Sequence, residues 1–202
     1  MEEIRVRRLT YENKMDSYSL DDYIRIVKEF HGSLAPGLLI GGFMVDLALK
    51  NLPKGEFFDA ISETKTCLPD AVQILTPCTV GNSWLKVLDF SRFAISLYDK
   101  STGEGIRVYI DPSKIEKWPE IKNWFYKLKT KKEQNYRLLI DQIKEAGAGL
   151  CSMKKIRIKP ELLRGHAHGS RIANCERCGE AFKIKDSPLC PACRGGDPYG
   201  VQ

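Results

Sequence analysis

The sequence predicts an α+β core followed by a small four-cysteine module at its C-terminal end. Three observations carry that prediction. Apolar residues recur at helical spacing early, give way to short alternating stretches, then return to helical spacing, an order unlike a regular βαβ array. Two Cys-x-x-Cys pairs, Cys175/Cys178 and Cys190/Cys193, stand eleven residues apart near the chain end. The length of 202 residues suits one ordinary core plus an appendage.

Taken in order, Ser19 before "LDDYIRIVKEF" reads as a capped helix, with two early acids and Tyr23, Ile26, Val27 and Phe30 at helical spacing. "HGSLAPG" breaks it, and Pro36 fits the first turn of a second helix, "GLLIGGFMVDLALKNL", which is apolar nearly all round. Gly41 and Gly42 inside that pattern predict a backbone packed close by. "FFDAISETKT" reads as a strand and "LPDAVQIL" as a short helix. "WLKVLDF", "FAISLYD" and "GIRVYID" are further strands, the last two joined by the glycine-containing loop "KSTGE". The stretch from Ser113 to Gly147 is helical with an early break at Pro119 and a solvated turn between helices at "KLKTKKE", around Lys127 to Glu133; "LCSMKKIRIKP" returns as a strand, and "ELLRGHAHGSR" reads as a linker. The expected domains are a core over 1–160, a linker over 161–170 and a module over 171–202.

A hydrophobic content of 43% and a charged content of 29% describe a soluble globular chain. The start, "MEEIRVRRLT", has charges but no apolar run behind it, so no secretory signal is expected. The most apolar stretch, Leu34 to Leu49, is interrupted by Pro36, three glycines and Asp46, which fits a buried helix and no membrane contact. A cytoplasmic setting follows, where seven cysteines stay reduced and serve metals or reactive-thiol chemistry. The net charge of +6 is uneven: residues 154–194 hold ten Lys/Arg against four Asp/Glu, whereas the preceding residues are nearly balanced.

The cysteine pairs carry the plainest chemistry. Thiolates are soft ligands, four at tetrahedral geometry suit zinc, and a two-residue gap turns both sulfurs of a knuckle toward one ion. Gly179 after the first pair and Gly195-Gly196 after the second let the chain turn there, and the hairpin "EAFKIKDSPL" carries one pair back to the other. Four protein ligands leave no open position for water, so Cys175, Cys178, Cys190 and Cys193 predict one structural zinc per chain. In such modules metal binding is worth about 10–16 kcal/mol and is in effect the folding energy. The tail's surplus positive charge raises nucleic-acid binding as a further reading. A tetrathiolate zinc offsets part of that charge, and Phe182, the one aromatic within the knuckles, fits a miniature core better than a stacking platform.

From "EFHGSLAPGLLIGG" onward the chain resembles the E-subunit family of formylmethanofuran dehydrogenase. Further matches follow in "ETKTCLPDAVQILTPCTVG" and "LKVLDFSRFAISLYDKSTGEGIRV", and the resemblance runs from about Ser19 to Cys193. It implies an α+β core, commonly a homodimer, with a treble-clef-like zinc finger at the C-terminal end. It also implies a groove holding His31, Cys67 and Cys78, with Glu63, Asp70 and Arg107 nearby, and in some members a second metal near the position of His31. Members are associated with one-carbon metabolism around a molybdenum or tungsten enzyme. The family's opening motif reads His-Gly-His-x-Cys-Pro-Gly; here Ser33 and Ala35 stand where it has its second His and its Cys. Pro77, Ser83-Trp84 and Ser91-Arg92 depart as well, so the changes gather at the groove and the chain reads as a divergent member with altered core chemistry.

Each candidate group also has a plain structural reading. His31 ends a helix, where an imidazolium interacts well with the dipole, or it serves metal or acid–base chemistry. Cys78 is a buried thiol or a reactive one, the second reading drawing on convergence with Cys67 and His31 in the family fold. Cys151 reads as core, His166 and His168 as linker histidines, and Trp118, Trp124, Phe125 and Tyr126 as packing. Three functions remain in view. The first is an accessory or regulatory zinc protein acting through protein contacts, with an enzyme subunit as partner. The second is a small metallo- or thiol enzyme using His31, Cys67 and Cys78. The third is a nucleic-acid-binding zinc protein.

Overall fold

The computed structural model describes residues 4–9, 15–53, 57–163 and 171–199. The chain divides into two compact units, Met1–Leu163 and Arg164–Gln202. His166 and His168, and most of the expected linker, lie outside the described residues.

The first unit opens with a hairpin that the sequence pattern does not predict, β1 (Arg5–Leu9) paired antiparallel with β2 (Met15–Ser19). Ser19 then caps α1 (Leu20–His31), its hydroxyl accepting from the Asp22 amide, and Gly32 closes the helix at φ 83°. That positive φ is the left-handed C-cap conformation glycine adopts without Cβ strain. Pro36 starts α2 (Pro36–Lys50), which is buried nearly all round, as its apolar sequence requires. The close neighbours of Gly41 and Gly42 are side chains rather than the expected backbone: a Cβ on Gly41 would meet the Ala71 methyl at 2.7 Å, and one on Gly42 would strike the Tyr23 ring.

Next come β3 (Phe58–Ser62), α3 (Leu68–Leu75), β4 (Leu85–Val87), β5 (Ala94–Asp99) and β6 (Glu104–Ile110). The expected helical stretch after Asp111 is three pieces, α4 (Pro112–Ile115), α5 (Pro119–Phe125) and α6 (Tyr136–Ala146), with the expected break at Pro119 and the expected turn around Lys127 to Glu133 between them. Glu120 explains the gap. Its buried carboxylate accepts from the Asn135 amide at 3.3 Å, from Lys129 Nζ at 3.1 Å and from Asn123 Nδ2 at 3.2 Å, holding residues 126–135 as a loop. β7 (Cys151–Arg157) and the short α7 (Pro160–Leu163) complete the unit.

The five-stranded sheet has the order β4-β3-β5-β6-β7, with β3 and β4 parallel and the other pairs antiparallel. Strand alternation divides its residues between two faces. Phe58, Ala60, Ile95, Leu97, Ile106, Val108 and Ile110 join the main core with α2, α3 and α6. The opposite face carries Lys86, Asp59, Ile61, Tyr98, Ser96, Arg107, Tyr109 and Lys154, aligned by the strand register. Asp46, on α2, ties the first hairpin down: Arg7 donates to it from its backbone amide at 3.0 Å and from Nη1 at 3.3 Å, and Lys50 Nζ lies at 2.6 Å.

The second unit is built on a hairpin of β8 (Ile172–Asn174) and β9 (Ala181–Lys183). It encloses the first cysteine pair, whereas the sequence pattern places a hairpin between the two pairs. Among the described residues no helix is long and apolar enough to cross a membrane.

Candidate functional site

The four tail sulfurs converge. Cys175, Cys178, Cys190 and Cys193 present ligand atoms that all lie within 4.8 Å of one another. The Cys178 and Cys190 sulfurs are 3.9 Å apart. Tetrahedral zinc with bonds of about 2.3 Å sets its thiolates about 3.8 Å apart, so the spacing fits the ion. Backbone amides point at the sulfurs, the Cys190 N–H donating to Cys175 Sγ at 3.3 Å and the Cys193 N–H to Cys190 Sγ at 3.4 Å. The amides of Cys178 and Cys190 together draw the Cys175 thiol down to about 6. Gly179 at φ 77° and Gly195 at φ 102° supply the left-handed turns after each pair.

The core candidates do not converge as a trio. His31 ends α1 and Asp70 stands in the first turn of α3; Nδ1 of the imidazole lies 2.7 Å from Asp70 Oδ2. Cys67 is beside them, at the N-cap of α3. Its backbone, at φ 58° and ψ −51°, is the centre of a strained γ-turn closed by the Leu68 N–H to the Thr66 carbonyl at 2.6 Å. Gly37 makes room for it, since a Cβ there would sit 2.9 Å from the Cys67 sulfur. Burial and then the Asp70 charge push the Cys67 thiol up, toward the protonated form. Phe93 walls the same spot and meets Trp124 and Phe125 edge-on at centroid distances of 6.3 Å and 6.2 Å. No sequence signal announced the γ-turn.

Cys78 is elsewhere. It follows the C-terminal end of α3, an eight-residue helix about 12 Å long, whereas Cys67 precedes its start. Its thiol donates to the Phe58 carbonyl at 3.4 Å, and burial raises it to about 12. That geometry corrects the expected convergence and makes Cys78 a core thiol. Cys151 is likewise buried and pushed up to about 12.

Glu63 and Arg107 pair on the opposite side of the sheet. Arg107 donates to Glu63 from Nε at 2.6 Å and from its Nη2 at 2.8 Å, and Arg92 adds a contact at 2.7 Å. The Arg107 pair holds the Glu63 carboxyl below its usual range. The sheet therefore stands between this ion-pair cluster and the His31–Asp70–Cys67 corner.

A second metal near His31 finds a poor ligand set. Ser33 and Ala35 offer no good donor, and among the described residues no third His, Cys, Asp or Glu ligand atom stands at metal spacing with His31 and Asp70. Among the described residues, the tail cysteines are the one group of three or more His, Cys, Asp or Glu ligand atoms at metal spacing.

Residues 30–158 match the family described as FmdE, molybdenum formylmethanofuran dehydrogenase operon, and residues 166–200 match the FmdE treble clef zinc finger. A crystal structure of a tungsten formylmethanofuran dehydrogenase FmdE-like protein from Syntrophus aciditrophicus is similar throughout, with 48% identity and a TM-score of 0.81. That similarity covers 97% of this chain and 100% of the other. An Archaeoglobus fulgidus protein named a probable S-adenosyl-L-methionine-binding protein is 30% identical over 188 residues. The alignment covers 83% of this chain and 51% of that protein, so the chain spans about half the length of this curated relative. Fold, motifs and relatives agree: this chain belongs to the FmdE family and carries its treble-clef zinc finger.

Proposed function

We propose that this chain is an accessory or regulatory zinc protein that acts through protein contacts in one-carbon or molybdenum/tungsten enzyme metabolism. The observation that carries the reading is the division of its cysteines. The four that share a metal-ligand geometry form a closed cage in the tail, while the core thiols are held protonated and apart. One zinc per chain staples the tail module, and the core works as a scaffold that pairs with a second copy and with a partner enzyme.

The test is binding of the purified full chain to a molybdenum or tungsten formylmethanofuran dehydrogenase from the same source, followed by sedimentation. A complex of fixed stoichiometry that survives moderate salt is the expected result. Steeply salt-sensitive retention on DNA in place of such a complex would overturn the reading in favour of nucleic-acid binding.

A further inference from the structure

The face of the sheet opposite the helices holds more cations than its acids neutralise. Glu63, its side chain only 7% exposed, grips two guanidinium groups at once. Arg107 spends Nε and Nη2 on its two oxygens, and Arg92 brings Nε to the same Oε2 that Arg107 Nη2 reaches. Nη1 of Arg107 and both terminal nitrogens of Arg92 keep no partner among the described residues. The buried carboxylate thus fixes two forks and leaves their other edges unused. Held in that way, a pair of guanidinium groups is pre-organised for a second oxyanion.

The neighbours say what that oxyanion is. Lys154 stands directly opposite Arg107 on β7 and has no ion-pair partner among the described residues. Like charges so placed destabilise a sheet until an anion joins them. The acids on the adjoining segments are engaged. Asp89 pairs with Lys65 at 3.4 Å and accepts from the Ser91 amide at 3.1 Å. Asp111 accepts from the Ser113 and Ser152 hydroxyls at 2.7 Å and 2.5 Å. On the other side of Arg107, β5 places Ser96, 3% exposed, whose hydroxyl has no partner among the described residues. A buried hydroxyl in that condition lacks an acceptor. Aromatic rings flank both forks, Phe90 at 5.0 Å from Arg92 Cζ and Tyr109 at 5.1 Å from Arg107 Cζ, and Phe90 is 56% exposed. We propose that Arg92, Arg107, Lys154 and Ser96, buttressed by Glu63, form a binding site for a phosphate monoester whose organic group lies along Phe90. Three cations around one carboxylate leave a surplus of two positive charges, which a phosphate dianion balances and a single carboxylate does not. The site gives the core a small-molecule ligand, independent of the zinc cage and of any protein partner.

Calorimetric titration of the full zinc-loaded chain at constant ionic strength tests this, with phenyl phosphate, inorganic phosphate and benzoate as probes and amide NMR shifts to locate them. Phenyl phosphate is expected to bind saturably, at least about tenfold tighter than benzoate, and to shift the amides of residues 90–96, 107–109 and 152–154. Arg92→Ala and Lys154→Ala are each expected to weaken it at least about tenfold. Phe90→Ala is expected to weaken phenyl phosphate and to leave inorganic phosphate unchanged. Absence of saturable binding would overturn the proposal, as would benzoate binding as tightly as phenyl phosphate, or shifts confined to the zinc module. Unchanged affinity in both cation variants would do the same, and unchanged phenyl phosphate affinity in Phe90→Ala would remove the seat assigned to the organic group. If Arg92→Ala fails to fold, Lys154→Ala, a change at an exposed side chain, is read alone.

Discussion

The tail and the core set the same residue type in different surroundings. In the tail, four sulfurs crowd together on tight turns with amides aimed at them; the amides draw the Cys175 thiol down to about 6, while desolvation and the neighbouring sulfurs raise Cys193 to about 12. In the core, Cys78 and Cys151 are buried and rise to about 12. A thiol becomes a ligand when nearby donors favour its thiolate; burial alone makes it a small hydrophobe. Cys67 stands between these extremes, at a helix start but raised by burial and by Asp70.

The comparison can be broken most severely in the tail. Cys190→Ser removes one of four ligands, and since metal binding of about 10–16 kcal/mol amounts to the folding energy of such modules, zinc is lost and the module unfolds. Metal analysis together with exchange protection of residues 172–196 measures it, and the core's protection is expected to persist. In the core the largest loss comes from Arg107→Ala, which leaves Glu63 with Arg92 alone on a nearly buried carboxylate; the expected cost is about 2–3 kcal/mol in denaturant unfolding. Because Arg107 lowers the Glu63 pKa in the fold, this stability is fully present above the unfolded value of about 4.3 and is lost as pH falls through the lower folded value. The variant's stability is therefore expected to fall less than the parent's between about pH 5 and pH 3.

Thiol reactivity sharpens the contrast within the core. Iodoacetamide at about pH 8 is expected to modify half-buried Cys67 at least about tenfold faster than Cys78 or Cys151, as read by peptide mass mapping. Equal rates would remove the distinction between them. The smallest expected effect is Ser19→Ala, which deletes the side-chain cap of α1 at a cost of about 1 kcal/mol in thermal or denaturant unfolding.

What could be read in the sequence was what local chemistry decides. Ser19 and Pro36 marked helix starts because caps and N-terminal prolines act within one turn. The tail cysteines declared themselves by spacing. The first hairpin went unread because its strands are short and charged, and its partner is a single carboxylate far along the chain. Asp46 was the signal: an acid in an apolar helix needs a cation, and Arg7 and Lys50 supply it. The turn around Lys127 to Glu133 was legible in its run of charges, but its anchor was not: Glu120, a good helix former, is buried and spends its oxygens holding that loop. The distance from Cys67 to Cys78 was within reach, since eight helical residues between them already forbid a shared site.

Zinc counting on the full chain tests most directly the proposal that the four tail cysteines hold the metal. One zinc per chain is expected in the parent protein, one in His31→Ala, and none in Cys190→Ser. A second ion in the parent that disappears in His31→Ala, or zinc that survives Cys190→Ser, would contradict it.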